Sequence, residues 1–415
     1  MSKCVEFTRH RRSCRVYSTL LILSSTVDSV DDAALMRIAE DWSFWSRKVP
    51  ASIPRNVQLP SVLSPSLGLV IQGVRRCGKS TLLQQLMAAF EVDPRQCVFI
   101  NFEDPRLLGH LSFETLQRLA DAFAQRRPEG ELVFFLDEIQ VVRGWEKWLR
   151  AQLERPSRNR FVVTGSNASL LAGEFSSALT GRHLTVELFP FDLREAQTRG
   201  RMSLESFLER GGFPEPLTRK DGDALLRQYF IDIVERDVRE RVGARSGMSV
   251  RRVVQMAFEA AGSELSLRRI SGATGLAVET VAGYLEGAKD AYLLFEVPFF
   301  AFSERKRAAR NNKYYPIDPG LRRVVVTRTG QDRGKGLECA THLQLRRRYG
   351  DVSYWRGKGE VDFVVRDGPR ILPVQVTWSG PAARHHTALE EFYESFPTAE
   401  ECLFVTADSF ADIFG

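Results

Sequence analysis

Eight consecutive residues, Gly73-Val74-Arg75-Arg76-Cys77-Gly78-Lys79-Ser80, have the types and spacing to hold a polyphosphate. Backbone N–H groups must turn inward around such a chain, so glycine is needed where a side chain would strike phosphate, and Gly73 and Gly78 stand there. Lys79 offers a cation to the β- and γ-phosphates, and Ser80 offers a hydroxyl to Mg²⁺. Arg75 and Thr81 complete the expected nucleotide contacts. An apolar run at 69–72 precedes the loop and a helical pattern at 79–90 follows it, so the helix N-terminus adds its partial positive charge. The expected ligands are ATP and Mg²⁺.

Downstream, the apolar run 133–136 ends in Asp137-Glu138. From the tip of a buried strand, Asp137 would hold the Mg²⁺ shell and Glu138 would orient and polarise an attacking water. Two adjacent acids at a strand end can also be plain solvated loop residues. The following strand ends in Thr164-Gly165-Ser166-Asn167, where Ser166 and Asn167 are candidates to sense the γ-phosphate. Arg182 is a candidate to neutralise developing charge, supplied by a neighbouring subunit, against the plainer reading of a surface arginine.

The elements that must position these groups alternate. Strands are expected at 69–72, 96–102, 132–136, 161–164 and 184–188, with helices at 79–90, 112–125 and 145–153. Apolar strands alternating with helices require a parallel sheet covered on both faces, an α/β P-loop core. A helix with Trp42, Phe44 and Trp45 over 31–47 should dock on that core. The expected division is 1–50 as an N-terminal extension and docking helix, 51–192 as the P-loop core, 193–246 as a helical lid, 247–304 as a helix–turn–helix unit with a strand pair, and 305–415 as a last α/β domain. In that domain strands are expected at 352–355, 361–366 and 371–378, a helix from 388, and a strand at 402–405.

Composition bounds the rest. The chain has 415 residues, 43% hydrophobic and 27% charged, which suffices for several packed cores. Its formal net charge is +6, yet residues 304–358 hold fifteen Lys/Arg against five Asp/Glu, so the remainder is slightly acidic. Six scattered cysteines give neither metal-ligand spacing nor a disulfide framework and read as reduced thiols of a cytoplasmic protein. A basic run at 9–15 followed by an apolar stretch at 16–27 mimics an export signal. That stretch is interrupted by Ser and Thr and is too short to span a bilayer, so the expectation is an extension or a start at Met36, and no membrane association.

The run 73–83, the block around Asp137-Glu138 with Trp145 after it, and the stretch from Thr164 through Phe189-Pro190-Phe191-Asp192-Leu193-Arg194-Glu195 resemble the predicted AAA-type ATPases of prokaryotes that end in the domain of unknown function DUF4143. Tyr314-Tyr315-Pro316-Ile317-Asp318-Pro319-Gly320-Leu321, Gly336-Leu337-Glu338 and Glu360-Val361-Asp362-Phe363 extend the resemblance over roughly 40–415. It implies an ASCE/AAA-like core, ATP hydrolysis, a winged helix, a nuclease-like C-terminal fold of the PD-(D/E)xK type, and homo-oligomers, a hexamer among them.

The expected second helix of the winged unit, 278–288, carries Glu279 and Glu286, with Lys289 and Asp290 just beyond it, so base reading is not expected of it. In the last domain Glu338 and Asp362 stand where nuclease acids belong, but Gln375 replaces the second strand acid and Thr377 the lysine. The expectation is a retained fold that grips DNA without cutting it, through Arg346, Arg347, Arg348, Arg356 and Lys358 with Tyr349, Tyr354 and Trp355. The leading expectation is an ATPase that binds duplex or branched DNA and remodels or moves along it. Its rivals are a nucleotide switch for a protein partner, of defence or toxin–antitoxin type, and an ATP-dependent nuclease.

Overall fold

The computed structural model describes residues 31–45, 48–90, 93–126, 131–167, 179–198, 200–326 and 332–414. The expected extension over 1–30, with its apolar stretch, lies outside them. Five strands form the first sheet: β1 (Gly68–Gln72), β2 (Cys97–Asn101), β3 (Val133–Asp137), β4 (Arg160–Gly165) and β5 (His183–Glu187). Their order is β2-β3-β4-β1-β5, and every neighbouring pair is parallel. Residues such as Val70, Ile71, Phe134 and Phe135 alternate between two buried faces, which is why β1 to β4 read as apolar runs, whereas the edge strand β5 leaves Leu184 exposed.

One face packs Val70, Ile100, Phe134 and Val163 against Leu35 and Ile38 of α1 (Asp32–Trp42), Leu116 and Leu119 of α3 (Phe113–Arg126), and Leu149 of α4 (Trp145–Glu154). The other packs Leu69, Ile71, Phe99 and Phe135 against Leu82, Leu83 and Leu86 of α2 (Lys79–Ala89). The N-terminal helix docks as expected but stops at Trp42, where Ser43 turns extended. Its indoles fix the docking: Trp42 donates to Asp104 at 2.8 Å and Trp45 to the Cys97 carbonyl at 2.8 Å. Because β1, β4 and β3 run parallel, the turns that follow β1 and β3 open at the same C-terminal end of the sheet, on either side of β4.

Short helices Leu193–Gln197, Leu204–Arg210 and Pro214–Thr218 lead to Gly222–Ile233, which runs on into a π-helical turn, Val234–Arg239. Helices Gly247–Glu259, Leu267–Thr274 and Val278–Asp290 follow. Strands β6 (Leu294–Val297) and β7 (Lys313–Pro316) pair antiparallel, with a short helix, Glu304–Ala308, in the loop between them. The last part runs helix Arg333–Tyr349, β8 (Val352–Arg356), β9 (Glu360–Asp367), β10 (Arg370–Val376), helix Ala383–Ser395 and β11 (Leu403–Val405). Its sheet has the order β11-β10-β9-β8, antiparallel from β8 to β10 and parallel between β10 and β11. One hydrophobic core runs from Ile71 of the first sheet through Phe213, Phe230, Phe258 and Tyr292 to Leu343 of the C-terminal helix.

Asp318 ties the last parts together. It is 1% exposed, and its carboxylate accepts from Gly212 N–H at 2.6 Å and from Leu321 N–H at 2.7 Å, capping the helix Pro319–Val325. Burial outweighs these bonds and raises its pKa to about 6. A carboxyl whose folded pKa is raised adds stability below its unfolded value, and that stability is lost as pH rises through 6. Asparagine cannot titrate. In urea denaturation the stability gap between wild type and Asp318→Asn should therefore narrow by roughly 2 kcal/mol between pH 4.5 and 7.5. A constant gap would show that Asp318 does not titrate there.

Candidate functional site

At the C-terminal ends of β1 and β3 the expected groups converge. The loop needs its glycines: Gly78 has φ +102°, and a Cβ on Gly73 would stand 2.1 Å from the Leu188 carbonyl oxygen. Lys79, 4% exposed, donates to the Gly73 carbonyl at 3.1 Å and lies 3.3 Å from Glu138. Ser80 Oγ donates to Asp137 at 2.6 Å. Burial alone would lower the Lys79 pKa, but Glu138 and Asp137 outweigh it and the pKa is raised. Burial raises Asp137, helped by Glu138 and opposed by the Ser80 and Thr164 hydroxyls. For Glu138, burial would raise the pKa, but Lys79, Gln140 and Arg75 outweigh it and hold it below the usual range. The site thus keeps an ionised carboxylate beside a buried ammonium.

Glu138 has φ +54°, a left-handed conformation uncommon for a residue with a side chain. Its N–H donates to Thr164 Oγ1 at 3.0 Å, while that hydroxyl donates to Asp137 at 2.6 Å. The Glu138 carboxylate accepts from Ser166 Oγ at 3.2 Å and from Gln140 at 2.6 Å. Asn101 adds a bond to Asp137 at 3.0 Å. Ser166 therefore reaches the site through Glu138, and Asn167 follows at the end of β4. Thr164, Gln140 and Asn101 were missed from sequence. Asn101 and Thr164 stand at strand ends beside the acids and Gln140 in the turn just after them, and that placement is the signal that would have found them.

A cavity of about 390 Å³ opens on Arg75, Gly78, Lys79, Ser80, Thr81 and Glu138, and is closed from the other side by Tyr229 and Asp232 of the helix Gly222–Ile233 and Arg236 of the π-helical turn. Arg75 is pinned between Glu103 at 3.0 Å and Asp237 at 3.1 Å. A second cavity of about 380 Å³ shares Gly78, Thr81 and Pro214 with the first and is lined by Pro50, Ile53 and Phe191. Cys77 is fully buried, donates to the Leu188 carbonyl at 3.3 Å, and has its pKa raised by that burial.

Arg182 lies elsewhere. Its carbonyl accepts from Gly68 N–H at the start of β1, and its side chain pairs with Glu154 at 3.1 Å. At ~3.3 Å per strand residue, that is on the order of 15 Å from the loop at the far end of β1.

In the C-terminal part Glu338, Asp362, Gln375 and Thr377 line one cavity of about 590 Å³ together with Lys335 and Lys358. Gln375 Nε2 and Val376 N–H both donate to Asp362 at 2.8 Å, and Tyr315 donates to Glu338 at 2.6 Å. The Thr377 hydroxyl is spent on the Gly380 carbonyl at 2.9 Å. Among the described residues no group of three or more His, Cys, Asp or Glu is arranged to hold a metal ion.

The expected DNA-gripping set is divided. Arg346 makes a two-pronged pair with Glu187 at 2.9 and 3.2 Å, and Arg347 lies 3.4 Å from both Asp192 and Glu195. These two arginines join the C-terminal helix to the first domain. Tyr354 and Trp355 are 0% and 6% exposed, held in the core on both sides of β8, so they present no ring to a nucleic acid. Arg348, Arg356 and Lys358 are exposed, Arg356 beside Glu264 at 3.3 Å. Lys289, the cation beside the expected recognition helix, pairs with Glu286 and Glu296.

A loop after β1, two acids after β3 and a polar strand end between them define a P-loop domain of AAA type. Residues 66–197 match the family described as an AAA domain, AAA_14, and residues 201–332 match a domain of unknown function, DUF8612. The DUF4143 resemblance is not confirmed by these matches. An uncharacterized protein of Haemophilus influenzae is 29% identical over 344 residues, 77% of this chain and 84% of that one. MJ1544, an uncharacterized protein of Methanocaldococcus jannaschii, is 30% identical over 342 residues, 75% of each chain, and the chain belongs to the same family. The structure of Cdc6p from Pyrobaculum aerophilum aligns at 10% identity over 62% of this chain and 86% of that one, with a TM-score of 0.26, too slight a likeness to carry a conclusion.

Proposed function

We propose that the chain hydrolyses ATP to ADP and phosphate and uses that cycle to remodel, or move along, DNA held by its distal half. The observation that carries the reading is the meeting of Lys79, Ser80, Asp137 and Glu138 within 3.3 Å contacts at one end of the sheet. Ser80 and Asp137 form an oxygen donor set that fits Mg²⁺, a hard cation. Mg²⁺ held there would offset phosphate charge. Lys79 exchanges its contact with Glu138 for the phosphates, and the freed carboxylate orients water and accepts its proton. Ser166 and Gln140 keep that carboxylate aimed, while Arg236 on the lid faces the same cavity. The adjoining cavity at Pro50, Ile53 and Phe191 has the apolar lining a nucleobase needs. Arg182, at the far end of the sheet, serves a neighbouring copy in a homo-oligomer.

For DNA, the support is charge and exposure. Arg305, Lys306, Arg307 and Arg310 sit exposed on the β6–β7 loop, and Arg348, Arg356 and Lys358 add to them. Three helices followed by the β6–β7 pair read as a winged helix. The succession of helix, three antiparallel strands, helix and parallel strand reads as a nuclease-like fold. With Gln375 and the engaged Thr377 in place of an acid and a lysine, that fold grips and does not cut.

Steady-state ATP hydrolysis tests the reading, comparing no DNA, single strands, blunt duplex and a four-way junction. We expect several-fold stimulation by duplex or junction, lost when Arg305, Lys306, Arg307 and Arg310 are changed together to Glu. Good turnover with a flat response to every DNA would sink the DNA reading and favour a protein-partner switch.

A further inference from the structure

The segment Phe189-Pro190-Phe191-Asp192-Leu193-Arg194-Glu195 gives the site above only the Phe191 ring in the second cavity, yet it is held from both sides by charge. From the loop side comes Arg55, which precedes β1. Its guanidinium donates to the Cys77 carbonyl inside the phosphate loop at 2.8 Å, to the Phe189 carbonyl at 2.6 Å and to Glu195 at 2.8 Å. It also lies 4.9 Å over the Phe191 ring. From the C-terminal side comes Arg347, 3.4 Å from Glu195 and from Asp192, bonded to the Pro190 carbonyl and 5.3 Å over the Phe189 ring.

The four charges are nearly dry. Side-chain exposures are 2% for Arg55, 3% for Glu195, 1% for Asp192 and 15% for Arg347. They balance two against two. Asp192 and Glu195 are locked to each other's backbone N–H at 2.7 and 2.8 Å, so neither carboxylate can swing away to serve one arginine alone. Asn56 also donates to Glu195 at 2.7 Å and to Asp192 at 3.2 Å, but it carries no charge, so displacing either arginine leaves two buried carboxylates drawing on the one that remains. Arg55 is also in contact range of Gly78, because a Cβ there would stand 3.3 Å from its Nη1.

We propose that Arg55 is a positioning residue of the phosphate loop and that Arg347, on the C-terminal helix, sets it through the shared carboxylate of Glu195. The nucleotide site then registers how the C-terminal domain is docked, and a ligand that moves that domain changes nucleotide affinity, as nucleotide changes its hold on that ligand. This rests on the reading of the loop as a nucleotide site. Arg347 lines neither cavity at the loop, whereas Arg55 and Phe191 line the second, so an effect of Arg347 substitution on nucleotide reaches the site through the segment it holds, and coupling to Arg55 is what singles out the relay.

The test is a double-mutant cycle on the Kd of a fluorescent ATP analogue, with the full chain and without DNA. Arg347→Met and Arg55→Met should each weaken binding by roughly tenfold, and the double variant should be little worse than Arg55→Met. Arg347→Lys, which keeps the charge and loses the fork, should recover part of the loss. Arg333→Met, exposed at the start of the same helix, should bind as wild type. If Arg347→Met fails to fold, Glu195→Gln takes its place with the same expected loss. Wild-type affinity in Arg347→Met or Glu195→Gln, or losses in Arg347→Met and Arg55→Met that multiply independently, would overturn the relay while leaving the nucleotide site standing. A wild-type chain that binds no nucleotide would overturn both.

Discussion

Lys79→Ala is expected to abolish ATP turnover, by about 10²–10³-fold or more, while the protein still unfolds in one cooperative step. The ammonium is the buried cation of the site, placed by the Gly73 carbonyl and Glu138. Arg75, engaged by Glu103 and Asp237, is not placed to take over its role. Structure should survive because Glu138 keeps its bonds to Gln140 and Ser166. With Lys79 gone, burial becomes dominant for Glu138, and its pKa moves up toward a neutral carboxyl, which limits the cost of the lost pair to about 1–3 kcal/mol. Steady-state phosphate release and a thermal melt read both halves. Turnover at the wild-type rate would show that the loop is not the hydrolytic site.

Glu138→Gln is expected to give the opposite combination, with nucleotide bound and not consumed. The amide keeps the shape and can still accept from Ser166 and Gln140, but it cannot take a proton from water. Loss of a general base is worth about 10²–10⁴ in rate. Removing the carboxylate also releases Lys79 from its 3.3 Å contact, so ATP should bind at least as tightly as in wild type. Saturating ATP should raise the melting temperature, since ligand at ~100 times Kd stabilises by about 2.7 kcal/mol. A thermal shift with Mg-ATP alongside a phosphate-release assay measures both. Full turnover would remove Glu138 from the chemistry, and absence of any shift would mean that its role is in binding.

Much of this site was legible because its parts are local. A loop between an apolar strand and a helix, or two acids at the tip of an apolar run, announce themselves within a dozen residues. The parallel sheet was legible by the same logic, but its order β2-β3-β4-β1-β5 was not, because no local pattern says which strands become neighbours. The arginines of the C-terminal helix were not legible in that way. Arg346, Arg347 and Arg348 read as one basic patch, but the partners of the first two, Glu187, Asp192 and Glu195, lie far back in the chain. Only the folded chain separates Arg348, in water, from neighbours that face a domain boundary. Tyr354 and Trp355 misled for a related reason: adjacent strand residues point to opposite faces, and here both faces of β8 are covered. The helix at Ala383 begins five residues before its expected start, because Pro381 sits just ahead of it rather than inside it.

Cys77 carries a consequence of its own. Its thiol sits at 0% exposure within the phosphate loop, with its pKa pushed up by burial and its S–H donated to the Leu188 carbonyl. A protonated thiol without access to solvent is silent toward alkylating and oxidising reagents. Any reactivity it shows belongs to the fraction of molecules in which the loop has opened. The rate at which a reagent consumes that thiol is therefore a clock for loop opening, set by an equilibrium of the backbone rather than by sulfur chemistry.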